Sequence, residues 1–173
     1  MEIIDIYDVN RVKTGRTMVR GEALKPEDFR LVVHVCIFGS DGKMLIQKRQ
    51  PFKRGWPDLW DVTTGGAAVT GESSQEAAQR EVSEEIGLSL DLKNKRPAMT
   101  VNFENGFDDV YIIEKDVDLN TLKLQYEEVE AVAWATKEEI MGMINEGSFI
   151  PYHKGFIELL FNMRERMGEI SKE

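Results

Sequence analysis

The sequence has little cysteine, histidine or proline, and no long hydrophobic run. Cys36 is the single cysteine among 173 residues, so no disulfide can form within the chain and a reducing compartment is expected. No stretch approaches the roughly 20 apolar residues that a membrane helix needs. The first residues also lack the basic and apolar regions of a signal peptide. These absences predict a cytoplasmic protein with no membrane partner.

Positive charge is also scarce, because 22 lysines and arginines face 31 aspartates and glutamates, which gives a net charge of −9. This balance argues against a broad surface for a nucleic acid polymer or an anionic membrane. A small phosphorylated substrate held through a metal ion stays compatible with it. The length and the 42% hydrophobic content fit one ordinary domain with a substantial core.

The most informative stretch is 66–88, which reads GAAVTGESSQEAAQREVSEEIGL. It places Glu81, Glu84 and Glu85 at positions i, i+3 and i+4, so a helix would carry the three carboxylates on one face. Their mutual repulsion destabilises the fold unless a cation lies among them, and oxygen ligands suit a hard ion such as Mg²⁺. A solvated acidic helix is the ordinary alternative. It does not account for this spacing together with the glycines at both ends and Arg80.

Local signals give the limits of this helix. Ser73 with Glu76 three residues later forms a capping-box pattern. Gly87 stands where a left-handed residue ends a helix. Arg80 lies four residues before Glu84, so it can pair with that carboxylate and fix its orientation.

The chain resembles the Nudix hydrolases, because every defined position of a Nudix box is present. These positions are Gly66, Glu72, Arg80, Glu81, Val82, Glu84, Glu85, Gly87 and Leu88. The resemblance implies an α/β fold, an α/β/α sandwich with a mixed β-sheet. It also implies a Mg²⁺- or Mn²⁺-dependent attack of water on the diphosphate linkage of a small molecule.

The resemblance further implies a role for each acidic position. Glu84 and Glu85 would bind the metal, with the main-chain carbonyl of Gly65 as a further ligand. Glu81 would be a ligand or the general base, and Arg80 would orient a carboxylate. Catalytic function is therefore expected at these four side chains.

The segment around Trp60 resembles the Nudix hydrolases most similar to isopentenyl-diphosphate isomerase, which is the first alternative function. That isomerase needs a cysteine and a histidine just after the tryptophan, whereas residues 63–67 read TTGGA here, so isomerase activity is not expected. The second alternative is a catalytically silent, nucleotide-sensing domain. Such domains usually lose box carboxylates, and this chain retains all of them.

Basic residues between the Trp60 segment and the preceding strand are candidates for binding substrate phosphates; they are Lys48, Arg49, Lys53 and Arg54. An ordinary solvated loop explains them equally well. Trp56 and Trp60 follow this region on either side of Pro57, and a role in anchoring the loop is favoured over stacking on a substrate.

Acidic residues outside the box are candidates for a further ligand or base, because the family often uses such a glutamate. Glu128, beside Glu127, lies at the start of a predicted strand. Asp108 and Asp109 compete with it for the role. A solvated position is the ordinary expectation for each of them alone.

The histidines and the cysteine point less clearly to function. His34 lies inside an apolar strand, so we predict a hydrogen-bonded core histidine rather than a ligand. Cys36 in the same strand is expected to be an inert core thiol. His153 lies in a predicted loop from which it can reach a substrate.

The remaining pattern predicts a mixed set of strands and helices. Residues 31–38 form a β-branched and aromatic run, which indicates a central strand buried on both faces. Residues 3–9 and 17–20 predict an N-terminal hairpin that either covers the sheet or joins a homodimer contact. We therefore divide the chain into a hairpin and linker, 1–29, and a Nudix hydrolase domain, 30–173. Further strands are expected at 44–48, 60–63, 98–104, 109–114 and 130–134, and helices at 137–145 and 156–167.

Overall fold

A computed structural model describes residues 2–170, which contain nine strands and three α-helices. The strands are β1 (Ile3–Tyr7), β2 (Lys13–Val19), β3 (Arg30–Phe38), β4 (Met44–Arg49), β5 (Trp60–Asp61), β6 (Thr64–Ala67), β7 (Met99–Phe103), β8 (Gly106–Glu114) and β9 (Val129–Ala135). The helices are α1 (Ser74–Ile86), α2 (Lys137–Glu146) and α3 (Lys154–Glu165).

The main sheet is mixed and is organised around β3. This strand runs parallel to β8 along its whole length and antiparallel to β6. β7 extends the sheet beyond β8, while β4 carries β5 and β9. Helix α1 packs on one face of the sheet, and α2 and α3 pack on the other. The expected α/β/α sandwich with a mixed sheet is confirmed.

The strands β3 and β4 separate almost as soon as they leave their turn. They pair only at Phe38 and Met44. Beyond that point the hydroxyl of Thr63 lies between them, where it accepts from the Ile37 N–H at 2.8 Å and donates to the Leu45 carbonyl. The buried hydroxyl replaces the missing ladder bonds. The separation gives β6 its place beside β3 and leaves a polar pocket between the two arms of the sheet.

Residues 31–38 form the central strand, but the strand is not buried on both faces throughout. Cys36 and Phe38 are fully buried against α3. Val32 and His34, nearer the start of the strand, stay partly exposed on the same face. The expectation was wrong for this half because the apolar core on the α3 side contacts β3 at Cys36 and Phe38 but does not include Val32 or His34.

The N-terminal residues form the expected hairpin, a separate two-stranded antiparallel sheet. Its second strand begins at Lys13 rather than at residue 17. The Asp8 carboxylate accepts from the Asn10 and Val12 N–H groups at 2.9 and 2.8 Å, which closes the turn early and frees more residues for pairing.

The hairpin docks on the chain's own main fold. Tyr7 and Phe29 exchange two backbone hydrogen bonds of 2.8 and 3.0 Å. At the other end of β1, the Thr70 N–H donates to the Ile3 carbonyl at 2.8 Å. The hairpin therefore supports the loop that leads into α1.

The segment around the glycine pair differs from the prediction of a single strand at 60–63. A short strand, β5, ends before Val62, and a second one, β6, begins after Thr63. Gly65 and Gly66 have low strand propensity, so β6 cannot be predicted from the residue pattern. Within residues 2–170 no helix has the length and apolar content needed to cross a bilayer.

The packing of α1 gives a first test. Ile86, its last residue, is fully buried in the core between α1 and the sheet. We expect Ile86→Ala to lower the free energy of unfolding by about 2–5 kcal/mol, because it removes three buried carbons and leaves a cavity. Urea unfolding measures the change. Leu159→Ala, on the exposed side of α3, is the control, and an equal loss in both variants would contradict this packing.

Candidate functional site

Helix α1 starts and stops at the predicted residues, which fixes the rotation of its acidic face. The Ser73 hydroxyl accepts from the Glu76 N–H at 3.2 Å, and the Glu76 carboxylate accepts from the Ser73 N–H at 2.8 Å. Gly87 ends the helix with a φ of 68°. The helix consequently turns Glu81 and Glu85 toward the sheet, where both are buried.

The glycine pair of β6 lets two groups approach the backbone from opposite sides. A Cβ atom at Gly66 would lie 2.1 Å from Glu81 Oε1, and one at Gly65 would lie 2.5 Å from His34 Cδ2. Both distances are impossible for real atoms, so a side chain at either position would expel its neighbour. The pair therefore forms a thin wall between the acidic helix and the opposite face of the sheet.

Arg80 connects the helix to the loop before it. Its Nε and Nη2 atoms bind the two oxygens of Glu72 at 2.7 and 3.1 Å, and Nη2 also donates to the Ala67 carbonyl at 3.0 Å. Its Nη1 atom lies 2.9 Å from Glu81 and 3.1 Å from Glu84. Burial opposes the charge of Arg80, but these carboxylates raise its pKa, so it stays a cation. The arginine orients two of the predicted site carboxylates.

Glu85 is the most strongly perturbed acid of the site. It is 4% exposed and accepts a hydrogen bond of 3.1 Å from Gln47 Nε2 on β4. Burial raises its pKa to about 8, and the charge of Glu81 contributes in the same direction. Gln47 Oε1 is itself buried without a hydrogen-bond partner in the described residues. This pocket therefore holds more oxygen atoms than it holds protein donors.

The acidic residues have oxygen donors suited to a hard divalent ion, but they are not yet arranged as its ligands. Within residues 2–170 no three acidic, histidine or cysteine side chains converge on one point. Glu81 and Glu84 turn toward Arg80, and Glu85 turns toward Gln47. The Glu84 side chain is 53% exposed, and its exposed ion pair with Arg80 is the contact that it would give up to bind a metal. The carboxylates fit Mg²⁺ or Mn²⁺ in chemistry, and binding requires a change of rotamer.

A polar chain that the sequence did not indicate lies behind Gly65. His34 Nδ1 lies 2.8 Å from Asp108, and the Tyr152 hydroxyl donates to Asp61 at 2.7 Å. Burial disfavours a charged His34, but the hydrogen bond to Asp108 outweighs it and raises the pKa of His34 to about 9. His34 is hydrogen-bonded as expected, yet it contacts the site wall rather than the core.

The basic candidates are mostly occupied by acidic neighbours. Lys48 lies 2.7 Å from Asp58 and 2.9 Å from Glu130. Lys53 pairs with Glu128, so two predicted site residues bind each other.

The other two basic residues differ in their surroundings. Arg49 Nε donates to the Gly55 carbonyl at 3.1 Å, and its Nη1 atom lies 3.7 Å from Asp61. Arg54 is exposed. None of the four basic side chains forms a hydrogen bond or ion pair with the box carboxylates in the described part of the chain.

Several other expectations can be placed. Asp109 lies on the opposite face of β8 from Asp108 and binds Arg11 and Thr100, so it points away from the polar chain. Trp56 is more than half exposed and does not anchor its loop in the core, which corrects that expectation.

Two further candidates lie in or against the core, and two lie on the surface. Trp60 packs against the core between the sheet and helices α2 and α3, and Cys36 is buried in that core as expected. Glu127 and His153 are exposed.

Comparisons with known proteins agree on one family. A model of the NUDIX domain matches residues 28–160. The chain is 49% identical over 164 residues to an uncharacterized Nudix hydrolase of Listeria monocytogenes. This alignment covers 95% of this chain and 96% of that protein. The crystal structure of DR0079 from Deinococcus radiodurans has a TM-score of 0.74 at 27% identity and covers 92% of this chain and 97% of that one. A MutT protein from Methanosarcina mazei Go1 has a TM-score of 0.62 at 25% identity, covering 84% and 99%.

The perturbed acid predicts how stability depends on pH without metal. Below pH 4.5, the ordinary pKa of a glutamate, Glu85 is protonated in both the folded and the unfolded protein. Above this pH Glu85 ionises in the unfolded chain, whereas in the folded protein it keeps its proton up to about pH 8. Stability therefore falls with rising pH across this window. We expect Glu85→Gln to flatten the fall, so that in a metal chelator the variant exceeds the wild type at about pH 9 and not at about pH 5. Denaturant unfolding at both pH values measures this, and parallel curves would contradict it.

Proposed function

The chain belongs to the Nudix hydrolase family, and we propose that it catalyses the Mg²⁺- or Mn²⁺-dependent hydrolysis of a diphosphate linkage in a small organic molecule. The observation that carries the proposal is the burial of Glu81 and Glu85 side by side under the glycine wall. Two carboxylates in a low-dielectric pocket repel each other unless a cation joins them.

The box residues divide the work between binding and proton transfer. We assign Glu84, Glu85 and the Gly65 carbonyl to the metal, because hard divalent ions prefer oxygen ligands. The bound ion supplies charge stabilisation at the phosphoryl oxygens and an acidified water. Arg80 holds the neighbouring carboxylates in orientation through its bonds to the preceding loop.

The proposed reaction is a displacement at phosphorus. The oxygen of a water molecule bonds to one phosphorus as the bond from that phosphorus to the bridging oxygen breaks, and the bridging oxygen leaves with the other phosphoryl group. A proton of the water passes to a carboxylate. We assign this role to Glu81, since Arg80 fixes its orientation and Gly66 leaves it room.

The alternative functions receive less support. Isomerase activity needs a thiol and an imidazole just after the tryptophan strand, where residues 63–67 read TTGGA and supply neither. The one thiol, Cys36, is fully buried and burial raises its pKa well above the usual range, so it cannot act as an acid–base group. A silent sensing domain would not need the complete set of carboxylates.

The proposal includes a division of the chain and a cellular setting. We retain 30–173 as the catalytic domain and 1–29 as an accessory hairpin and linker. Arg54 and Glu128 remain substrate candidates at the rim, the latter after release from Lys53. A cytoplasmic location fits the single cysteine.

Removal of one ligand charge tests the site. Glu85→Gln keeps the size of the side chain and its bond to Gln47, so we expect the protein to stay folded. We expect kcat to fall by about 100-fold or more. Residues that only orient a metal ligand reduce activity by about 10- to 100-fold when they are replaced, so the loss of a ligand should match or exceed that range. Phosphate release from a panel of nucleotide and non-nucleotide diphosphates measures it. Glu158→Gln, exposed on α3, is the control. Wild-type turnover in Glu85→Gln would refute the assignment.

Metal binding is testable without a substrate. If Mg²⁺ binds only the folded state, a Mg²⁺ concentration of 100 times the dissociation constant stabilises that state by about 2.7 kcal/mol. This corresponds to a Tm rise of several degrees. We expect this rise in the wild type and a much smaller one in Glu85→Gln. Thermal unfolding with and without millimolar Mg²⁺ measures it, and equal shifts in both proteins would place the ion elsewhere.

A further inference from the structure

Arg30, the first residue of β3, is a half-buried cation without an acidic partner. Within residues 2–170 no carboxylate lies within ion-pair distance of its guanidinium, and its Nε atom is fully buried without a hydrogen-bond partner. The guanidinium stacks 5.7 Å from the ring centre of Phe103. Burying an unpaired charge is unfavourable, so the position indicates a function that needs a fixed cation.

A second arginine reaches the same region from the N-terminal hairpin. Arg20 follows β2, and its N–H donates to the Glu2 carbonyl at 3.0 Å. Its side chain binds Glu2 at 2.5 Å, and both side chains are nearly half exposed. Such an exposed ion pair contributes little stability, so another anion can replace Glu2 at small cost.

The charge of Arg20 acts on both the unpaired arginine and the acidic site. Burial lowers the pKa of Arg30, and the nearby charge of Arg20 lowers it further. Arg20 also favours the ionised form of Glu81, whose pKa burial raises, and it lies close enough to Glu128 to interact with that carboxylate. The charge of Arg20 is therefore felt both by Arg30 and by Glu81.

The topology explains how these groups meet. Arg30 shares one face of β3 with Val32 and His34, and His34 contacts Gly65 of the glycine wall. The backbone bond between Ile3 and Thr70 holds the open end of the hairpin at the loop that follows β6. Both arginines thus start from backbone next to the loop between β6 and α1, and Arg30 extends along the face of β3 opposite α1.

We propose that Arg30 and Arg20 together bind the terminal phosphate of the substrate, which makes the preferred substrates those that end in a free phosphate. This inference rests on the proposed function. A terminal phosphate carries a charge of nearly −2 at neutral pH, because its second pKa is about 6. An internal, esterified phosphate carries only one negative charge. Two guanidiniums match the former, since each can donate two parallel hydrogen bonds to phosphate oxygens.

The two arginines have different parts in this binding. Stacking on Phe103 fixes Arg30 before the substrate arrives, so little freedom is lost on binding. Arg20, whose side chain is nearly half exposed, exchanges Glu2 for the phosphate. Nucleoside diphosphates and other organic diphosphate monoesters fit this arrangement. Dinucleotides and nucleotide sugars, in which both phosphates are esterified, do not.

The test compares matched substrates with and without a free terminal phosphate, such as ADP with ADP-ribose and CDP with CDP-choline. We expect the wild type to have a kcat/KM at least tenfold higher for the substrate with a free terminal phosphate than for its esterified partner. Arg30→Gln should raise KM for that member by about tenfold or more with a smaller change in kcat, because a charge-assisted bond is lost. The KM for the esterified member should stay within about twofold, and Arg30→Lys should recover part of the loss.

Arg166→Gln is the matched control. It removes an exposed arginine just beyond the end of α3. The neighbouring Arg164 lies next to Gly42 in the β3–β4 turn, so this region is at the opposite end of β3 from Arg30. Equal effects of Arg30→Gln on both members of a pair, or an unchanged KM, would overturn the proposal. A wild-type preference for the esterified members would overturn it as well.

A binding measurement separates this inference from the proposed hydrolysis. Calorimetric titration with inorganic pyrophosphate in the presence of Mg²⁺ requires no turnover. We expect Arg30→Gln and Arg20→Gln to weaken binding by about tenfold each relative to Arg166→Gln. If no panel compound is hydrolysed but pyrophosphate binding depends on the arginines, the hydrolase proposal fails and the phosphate site stands. Equal affinity in all four proteins refutes the phosphate site whatever the activity.

Discussion

The structure depends on keeping two carboxylates buried next to each other on α1. Glu81 and Glu85 lie within a pocket that raises the pKa of both, and such a pair destabilises the fold when both are ionised. Arg80 reduces this destabilisation, because its positive charge pairs with Glu81. Its other nitrogens donate hydrogen bonds to Glu72 and to the Ala67 carbonyl, which hold the guanidinium in place. In the proposed reaction, a metal ion held by these carboxylates would complete the same compensation. Within the protein itself, Arg80 is the cation that balances part of the acidity of the site.

The surrounding backbone is built to let this charged face approach the sheet. Glycines in β6 remove the side chains that would otherwise collide with Glu81 and His34. The separation of β3 from β4, stabilised by the hydroxyl of Thr63, gives β6 its place and brings Gln47 to Glu85. Regular strand pairing in the middle of the sheet would close this pocket. Irregularity here is therefore a requirement of the site.

The accessory elements extend the site beyond the helix. The N-terminal hairpin supports the loop before α1 and places Arg20 near the acids. On the other side of the glycine wall, the polar chain of His34, Asp108, Tyr152 and Asp61 gives a rigid polar backing. In the proposed function, the chemistry thus lies on one helix, whereas the residues proposed to recognise the substrate lie on segments that are distant in sequence.

The sequence by itself determined the acidic helix, its caps and the family, because these depend on residues within one short segment whose spacing acts locally. It also predicted most strands and helices from their periodicity. It could not find β6, the occupation of Lys48 and Lys53 by acids, or the Arg30 guanidinium that has no acidic partner in the described part of the chain. Those features were decided only by the tertiary structure, since they arise from contacts between distant segments, and burial and charge pairing exist only once those segments have been brought together.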